Sequence, residues 1–231
     1  PVVTPPPALV ARGLRVRGPG GVALVDGVDL EVRAGEVLAL VGASGAGKSL
    51  TAWSLIGLVP APAVAAGGTV AVGGEDLAVG GDALRRARGA RIGLVPQDPA
   101  SSLDPVRRVG AQVAETLRAH LPLSRDEARR RAGAALAEVG LDRDDVPHRL
   151  SGGQRRRALV ALALAPGPAV LVADEPTASL DAPVQVEVLD LIDRHRRDRG
   201  LGVLIVTHDL GAVARLADRI AVMDRGRIVE A

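Results

Sequence analysis

The chain has 231 residues, a formal net charge of +2 and no cysteine. A chain of that length buries most of the surface it would expose unfolded, so a single domain needs neither disulfide nor metal staple. The absence of cysteine excludes thiolate metal sites and cysteine nucleophiles and lends no support to an oxidising compartment. The near-balanced charge does not supply the basic surface that a nucleic-acid partner requires.

The opening PVVTPPPALVAR has neither the charged segment nor the apolar segment of a secretory signal. Met223 is the only methionine, so the sequence reads as a fragment or a trimmed domain. The longest apolar run, about Ala158 to Ala165, is far short of the 18 or more residues that would span a bilayer. Residues 1–8 read as a proline-rich lead-in, and residues 9–231 as one domain.

Strands are predicted at Leu9 to Arg17 and Val22 to Val32, antiparallel across a Gly-Pro-Gly-Gly turn. Val37 to Val41 is a short, wholly apolar strand of the kind buried on both faces. It runs into a glycine-rich stretch, after which Lys48 to Leu58 reads as a helix. Further strands are expected at Thr69 to Val72, Arg91 to Val95, Val170 to Ala173, Val203 to Val206 and Arg219 to Met223. Helices are expected at Val109 to His120, Ser124 to Val139 and Gly153 to Ala165, the second opened by a capping box of Ser124 and Glu127. The block from about 98 to 152 has no convincing strand, which makes it a helical lobe inserted into a sheet domain.

The glycine-rich stretch is Gly42-Ala43-Ser44-Gly45-Ala46-Gly47-Lys48-Ser49, followed by Leu50. Strand, GxxxxGK[ST], helix is a phosphate-binding loop: its backbone N–H groups and the helix start face the phosphates, and the lysine reaches the β and γ oxygens. Ser49 is placed to ligate Mg²⁺. Of 29 lysines and arginines, Lys48 is the only lysine. The arginine excess and the lack of Phe and Tyr both read as a bias toward GC-rich codons. One position resists the drift because the loop fits a compact ammonium and not a wide planar fork. A second apolar strand, Val170-Leu171-Val172-Ala173, ends in Asp174 and Glu175. Asp174 is suited to hold Mg²⁺ directly or through water, and Glu175 to polarise the attacking water.

Leu150-Ser151-Gly152-Gly153-Gln154 reads LSGGQ, and with it the chain resembles the nucleotide-binding subunit of ATP-binding cassette (ABC) transporters. The phosphate loop, Gln97, LSGGQ, Asp174-Glu175, Ser179-Leu180-Asp181 and His208 occur in that family's order. The resemblance implies a P-loop NTPase of the ABC type: a mostly parallel, RecA-like α/β core, an antiparallel β subdomain and the inserted helical subdomain. It further implies a head-to-tail dimer with ATP and Mg²⁺ between subunits. Ser151, Gly152, Gly153 and Gln154 would meet the ATP held by the opposite subunit. Asp181 would communicate across the interface, His208 would contact the γ-phosphate, and Gln97 would bridge Mg²⁺ and the helical lobe.

Gln97-Asp98-Pro99 through Asp104-Pro105, Pro147-His148-Arg149 and Thr207-His208-Asp209 narrow the resemblance to dipeptide, oligopeptide and nickel importers. That implies membrane permease subunits, reached by residues about 97 to 110, a solute-binding protein outside the membrane, and a place on the cytoplasmic face. The family's adenine-stacking aromatic is missing between the first two strands, so Arg15 or Arg17 is the candidate to stack there. Trp53 is expected in the core, and His120, His148 and His195 on the surface or in packing. The alternative, a soluble ABC ATPase acting on nucleic acid or the ribosome, fits less well. The roughly hundred positions between Ser49 and Leu150 carry no sustained heptads, and one cassette is present. A degenerate cassette is disfavoured because Lys48, Ser49, Gln97, Asp174, Glu175 and His208 are all intact.

Overall fold

The computed structural model describes residues 7–142 and 144–231; of the expected lead-in, residues 1–6 lie outside the described residues. Pro7 and Ala8 already belong to the first strand, β1 (Pro7–Arg17), which pairs antiparallel with β2 (Ala23–Arg33). After β3 (Val37–Val41) and α1 (Lys48–Leu55) come β4 (Val64–Val72), β5 (Glu75–Ala78) and α2 (Asp82–Ala87), which lead to β6 (Ile92–Val95). Four helices follow with no strand among the described residues: α3 (Pro99–Ser102), α4 (Val109–His120), α5 (Arg125–Glu138) and α6 (Gly152–Leu164). Then β7 (Val170–Asp174), α7 (Ala182–Arg199), β8 (Gly202–Thr207), α8 (Leu210–Val213), β9 (Arg219–Asp224) and β10 (Arg227–Glu230) complete the chain.

The strands form two sheets. One is antiparallel, in the order β2-β1-β4-β5. The other has the order β10-β9-β3-β8-β7-β6 and is parallel except for the β9–β10 hairpin. Every residue of β3, β7 and β8 is buried. Side chains alternate faces along a strand, and the core divides accordingly. Leu38 and Leu40 of β3 pack with Leu14, Val25 and Leu55, toward the antiparallel sheet and α1. Val37, Ala39 and Val41 face Val160, Val188 and Ile192 on the helical side. Fully burying each large aliphatic contributes about 1.5–3 kcal/mol, which explains why these strands carry no polar residue before their last positions.

Several expectations need correction. The helix after the glycine-rich loop stops at Leu55, not Leu58. Gly57 takes φ 65, its N–H bonds Ser54 O, and Leu58 N–H bonds Trp53 O, a Schellman stop that only glycine enters freely. The longest helix, α7, occupies a stretch assigned no element from sequence. Its Val184-Gln185-Val186-Glu187-Val188 alternates with period two, like a strand, although Asp181 caps its start and Gly200 at φ 64 ends it. Ser124 accepts from Glu127 N–H as expected, but the Glu127 carboxylate bonds Arg130 and Arg131 rather than completing a capping box.

Candidate functional site

The carboxyl ends of β3, β7 and β8, neighbours in the parallel sheet, converge on a cavity of about 450 Å³ lined by Ser44, Gly45, Gly47, Lys48, Ser49, Leu50, Gln97, Glu175 and His208. A loop must turn from β3 into α1 here with almost no room. A side chain on Gly42 would put its Cβ 2.1 Å from Met223 O, and one on Gly47 would put it 2.7 Å from Leu24 O. Both glycines also have positive φ, 152 and 102, so they are required twice over.

Lys48 is buried, with Nζ donating to Gly42 O at 2.9 Å and Ala43 O at 3.0 Å. An ammonium has three N–H donors, so one remains for an acceptor in the cavity. Ser49 Oγ donates to Asp174 Oδ1 at 3.0 Å. Asp174 is 1% exposed. Burial pushes its carboxyl above the usual range, against the hydrogen bonds from Ser49 and Trp53 and the charge of Lys48 that favour the carboxylate.

Glu175 follows β7 directly and is held in place from both sides. Its φ is 48, a left-handed conformation that is strained for a residue with a side chain. The backbone is fixed by Glu175 N–H to Val206 O at 2.8 Å. Oε1 lies 2.7 Å from His208 Nδ1, and Thr207 Oγ1 donates to Oε2 at 3.4 Å. The carboxylate is nearly buried while His208 is open to solvent, so the pair forms a wall of the cavity with its polar edge inward.

The remaining predicted residues lie elsewhere. None of Ser151, Gly153, Gln154 or Asp181 lines this cavity. Ser151 and Gln154 open α6 as a reciprocal capping box, with Gln154 N–H to Ser151 Oγ at 3.2 Å and Ser151 N–H to Gln154 Oε1 at 2.9 Å. Asp181 caps α7 through Val184 N–H at 3.2 Å. A second cavity, of about 340 Å³, places Gly152 opposite Gln97, Asp98 and Ser179. Arg15 sits 3.9 Å from Asp26 and donates to Gly13 O; neither it nor Arg17 lines the first cavity. His148 bonds Pro105 O at 3.0 Å, and His195 is buried between helices.

Two contacts escaped sequence reasoning. Trp53 packs partly into the core, as expected, but its indole N–H also donates to Asp174 Oδ2 at 3.2 Å. Arg156 on α6 is 2% exposed; it donates to Pro96 O at 2.8 Å and Ala178 O at 3.4 Å. Burial lowers its pKa, and the Asp98 charge opposes that. The guanidinium ties the Gln97 loop, α6 and the loop after Glu175 together.

A family model for ABC transporters matches residues 25–178. The chain belongs to the ABC transporter family, as an ATP-binding cassette. The cassette is 46% identical over 215 residues to the oligopeptide transport ATP-binding protein OppD of Mycobacterium bovis, covering 90% of this chain and 35% of that protein. It is 42% identical to the peptidoglycan transport ATP-binding protein YejF of Agrobacterium fabrum, covering 97% and 43%. With a putative peptide import ATP-binding protein of Brucella melitensis it shares 43% identity, covering 89% and 64%. The cassette thus spans between about a third and two thirds of these relatives. Among solved structures, a dimeric post-hydrolysis state of the ATP-binding cassette MJ0796 bound to ADP and Pi superposes with a TM-score of 0.83 at 27% identity, covering 96% of this chain and 97% of that one.

Proposed function

We propose that this cassette binds and hydrolyses ATP as one half of a head-to-tail dimer and powers solute import through membrane permease partners. The observation that carries the reading is the meeting of Lys48, the Ser49–Asp174 pair and the Glu175–His208 pair around one cavity. The phosphates lie along the loop N–H groups from Ser44 to Ser49, at the start of α1, where the helix dipole favours negative charge. Lys48 turns its remaining N–H to the β and γ oxygens. Glu175 accepts a hydrogen bond from the attacking water and polarises it. His208, bonded to Glu175, fixes that carboxylate and reaches the γ-phosphate. Gln97 senses the occupied site and passes the change to the helical lobe.

The residues present fit Mg²⁺. Ser49 and Asp174 offer a hydroxyl and a carboxylate, hard oxygen ligands, with the Gln97 amide in the same cavity. Among the described residues there is no group of three or more His, Cys, Asp or Glu able to hold a metal alone. Such a site leaves the remaining positions to phosphate oxygens, as Mg²⁺ sites commonly do. When bound, the cation would neutralise charge on the β and γ phosphates.

The partner cassette would bring its own Ser151, Gly152, Gly153 and Gln154 to this cavity and receive this chain's in return, with Asp181 at the seam. The superposition on a dimeric cassette supports that arrangement. No helix among the described residues is long and apolar enough to cross a membrane. Permease subunits would carry the path, with residues about 97 to 110 at the contact and the cassette on the cytoplasmic face. A solute-binding protein outside the membrane would deliver the cargo. The relatives' names support a peptide rather than nickel. We read the chain as a single domain with a helical lobe and without a nucleic-acid partner.

The deciding experiment replaces Glu175 with Gln. Turnover is expected to fall by about 10²- to 10⁴-fold, the usual contribution of a positioned base, while ATP still binds and a stable dimer accumulates on size exclusion with light scattering. Undiminished hydrolysis would remove Glu175 from this role.

A further inference from the structure

In a chain without Phe or Tyr, the one aromatic side chain, Trp53, is on the helix that follows the phosphate loop. Residues four apart share a helix face, so Trp53 stands one turn beyond Ser49 and looks the same way. That face meets the end of β7, and both residues donate to the same carboxylate: Ser49 Oγ to Oδ1 at 3.0 Å and Trp53 Nε1 to Oδ2 at 3.2 Å. With Asp174 1% exposed, bulk water does not replace either donor.

The two donors are chemically unequal. A hydroxyl keeps lone pairs and is able to ligate a cation while still donating; an indole N–H only donates. Trp53 therefore never competes for the cation. By occupying Oδ2 it sets the plane of the carboxylate and leaves Oδ1 beside the Ser49 oxygen. Groups that orient a ligating carboxylate in this way commonly change metal affinity by about 10- to 100-fold when removed.

We propose that Trp53 is a positioning residue for the divalent cation, its indole N–H holding the Asp174 carboxylate in the orientation that pairs Oδ1 with Ser49. The inference rests on the reading that Ser49 and Asp174 take Mg²⁺ with ATP. Because Trp53 is the only tryptophan and tyrosine is absent, the protein's own fluorescence reports the surroundings of Trp53 alone.

The test uses the whole chain, a fluorescent ATP analogue and titrated Mg²⁺. Trp53→Phe keeps an aromatic ring but removes the N–H donor, along with part of the indole's bulk. The expected result is a rise of about 10-fold in the Mg²⁺ needed for half-maximal analogue binding, with analogue affinity in chelator unchanged. Wild-type dependence on Mg²⁺ would overturn the proposal, as would equal losses with and without metal, which mark a packing role. Asp174→Asn separates the layers: if it leaves the Mg²⁺ dependence untouched, the metal site itself is wrong, whereas if it weakens Mg²⁺ and Trp53→Phe does not, only the role of Trp53 falls. Should Trp53→Phe fail to fold, the wild-type indole decides. An emission shift on adding Mg²⁺ with a non-hydrolysable ATP analogue, lost in Asp174→Asn, supports the contact; no shift refutes it.

Discussion

The phosphate loop and the signature turn are both helix starts rich in glycine, yet they are finished to different degrees. Around the loop, side chains from three neighbouring strand ends converge, and Lys48, Asp174 and Glu175 are all buried against one another's elements. The LSGGQ turn has its internal hydrogen bonds complete, with Ser151 and Gln154 bonded to each other, and neither of those residues lines the cavity that holds Lys48. On the proposed reading, one chain carries a whole phosphate cradle and, separately, a set of donors for a second one. In the proposed dimer, binding would belong to the chain and turnover to the pair.

Mutations on the two sides should therefore separate binding from turnover. Lys48→Ala has the largest expected effect. It removes charge-assisted hydrogen bonds of about 1.5–3 kcal/mol each, so ATP affinity measured on the isolated chain should fall on the order of 100-fold. Gly153→Ala attacks the other side. A Cβ there would sit 2.5 Å from Val184 Cγ1 of α7, forcing the signature turn to shift at a cost of about 1–3 kcal/mol in melting experiments. Hydrolysis at saturating ATP should drop by an order of magnitude or more while single-chain affinity stays unchanged; a parallel loss of affinity would break the division between the two regions.

The smallest effect is a control lying outside both. His195, buried between α5, α6 and α7, has its pKa lowered below 6.5, first by burial and then by Arg199. The unfolded chain then binds more protons than the folded one as pH drops below 6.5, so this histidine's contribution is present above that pH and is lost below it. Thermal melts from neutral to mildly acidic pH should show stability falling with acid. His195→Gln should flatten that slope without touching ATP affinity.

What was legible in the sequence follows the same division of physics. Lys48, Ser49, Asp174, Glu175 and His208 stand at strand ends marked by apolar runs and motif spacing, so their convergence was readable. Trp53 and Asp174 are 121 positions apart, and Arg156 reaches carbonyls 60 and 22 positions away. Such contacts depend on how α1 and α6 are rotated against the sheet, which no local pattern encodes. α7 was hidden for the opposite reason: a short alternation from Val184 to Val188 imitated a strand, and packing of Val188 and Ile192 on the sheet overrode it. The order of strands in the parallel sheet was likewise set by tertiary contacts alone.

The capping box at the start of α6 has one more consequence. Ser151 Oγ already accepts from Gln154 N–H, so its oxygen is anchored at the helix start while its proton stays available to donate. Folding, not docking, has fixed the side-chain rotamer that carries that oxygen. In the proposed dimer Ser151 would arrive with its oxygen already placed, so less side-chain entropy would be lost as the two subunits close around ATP.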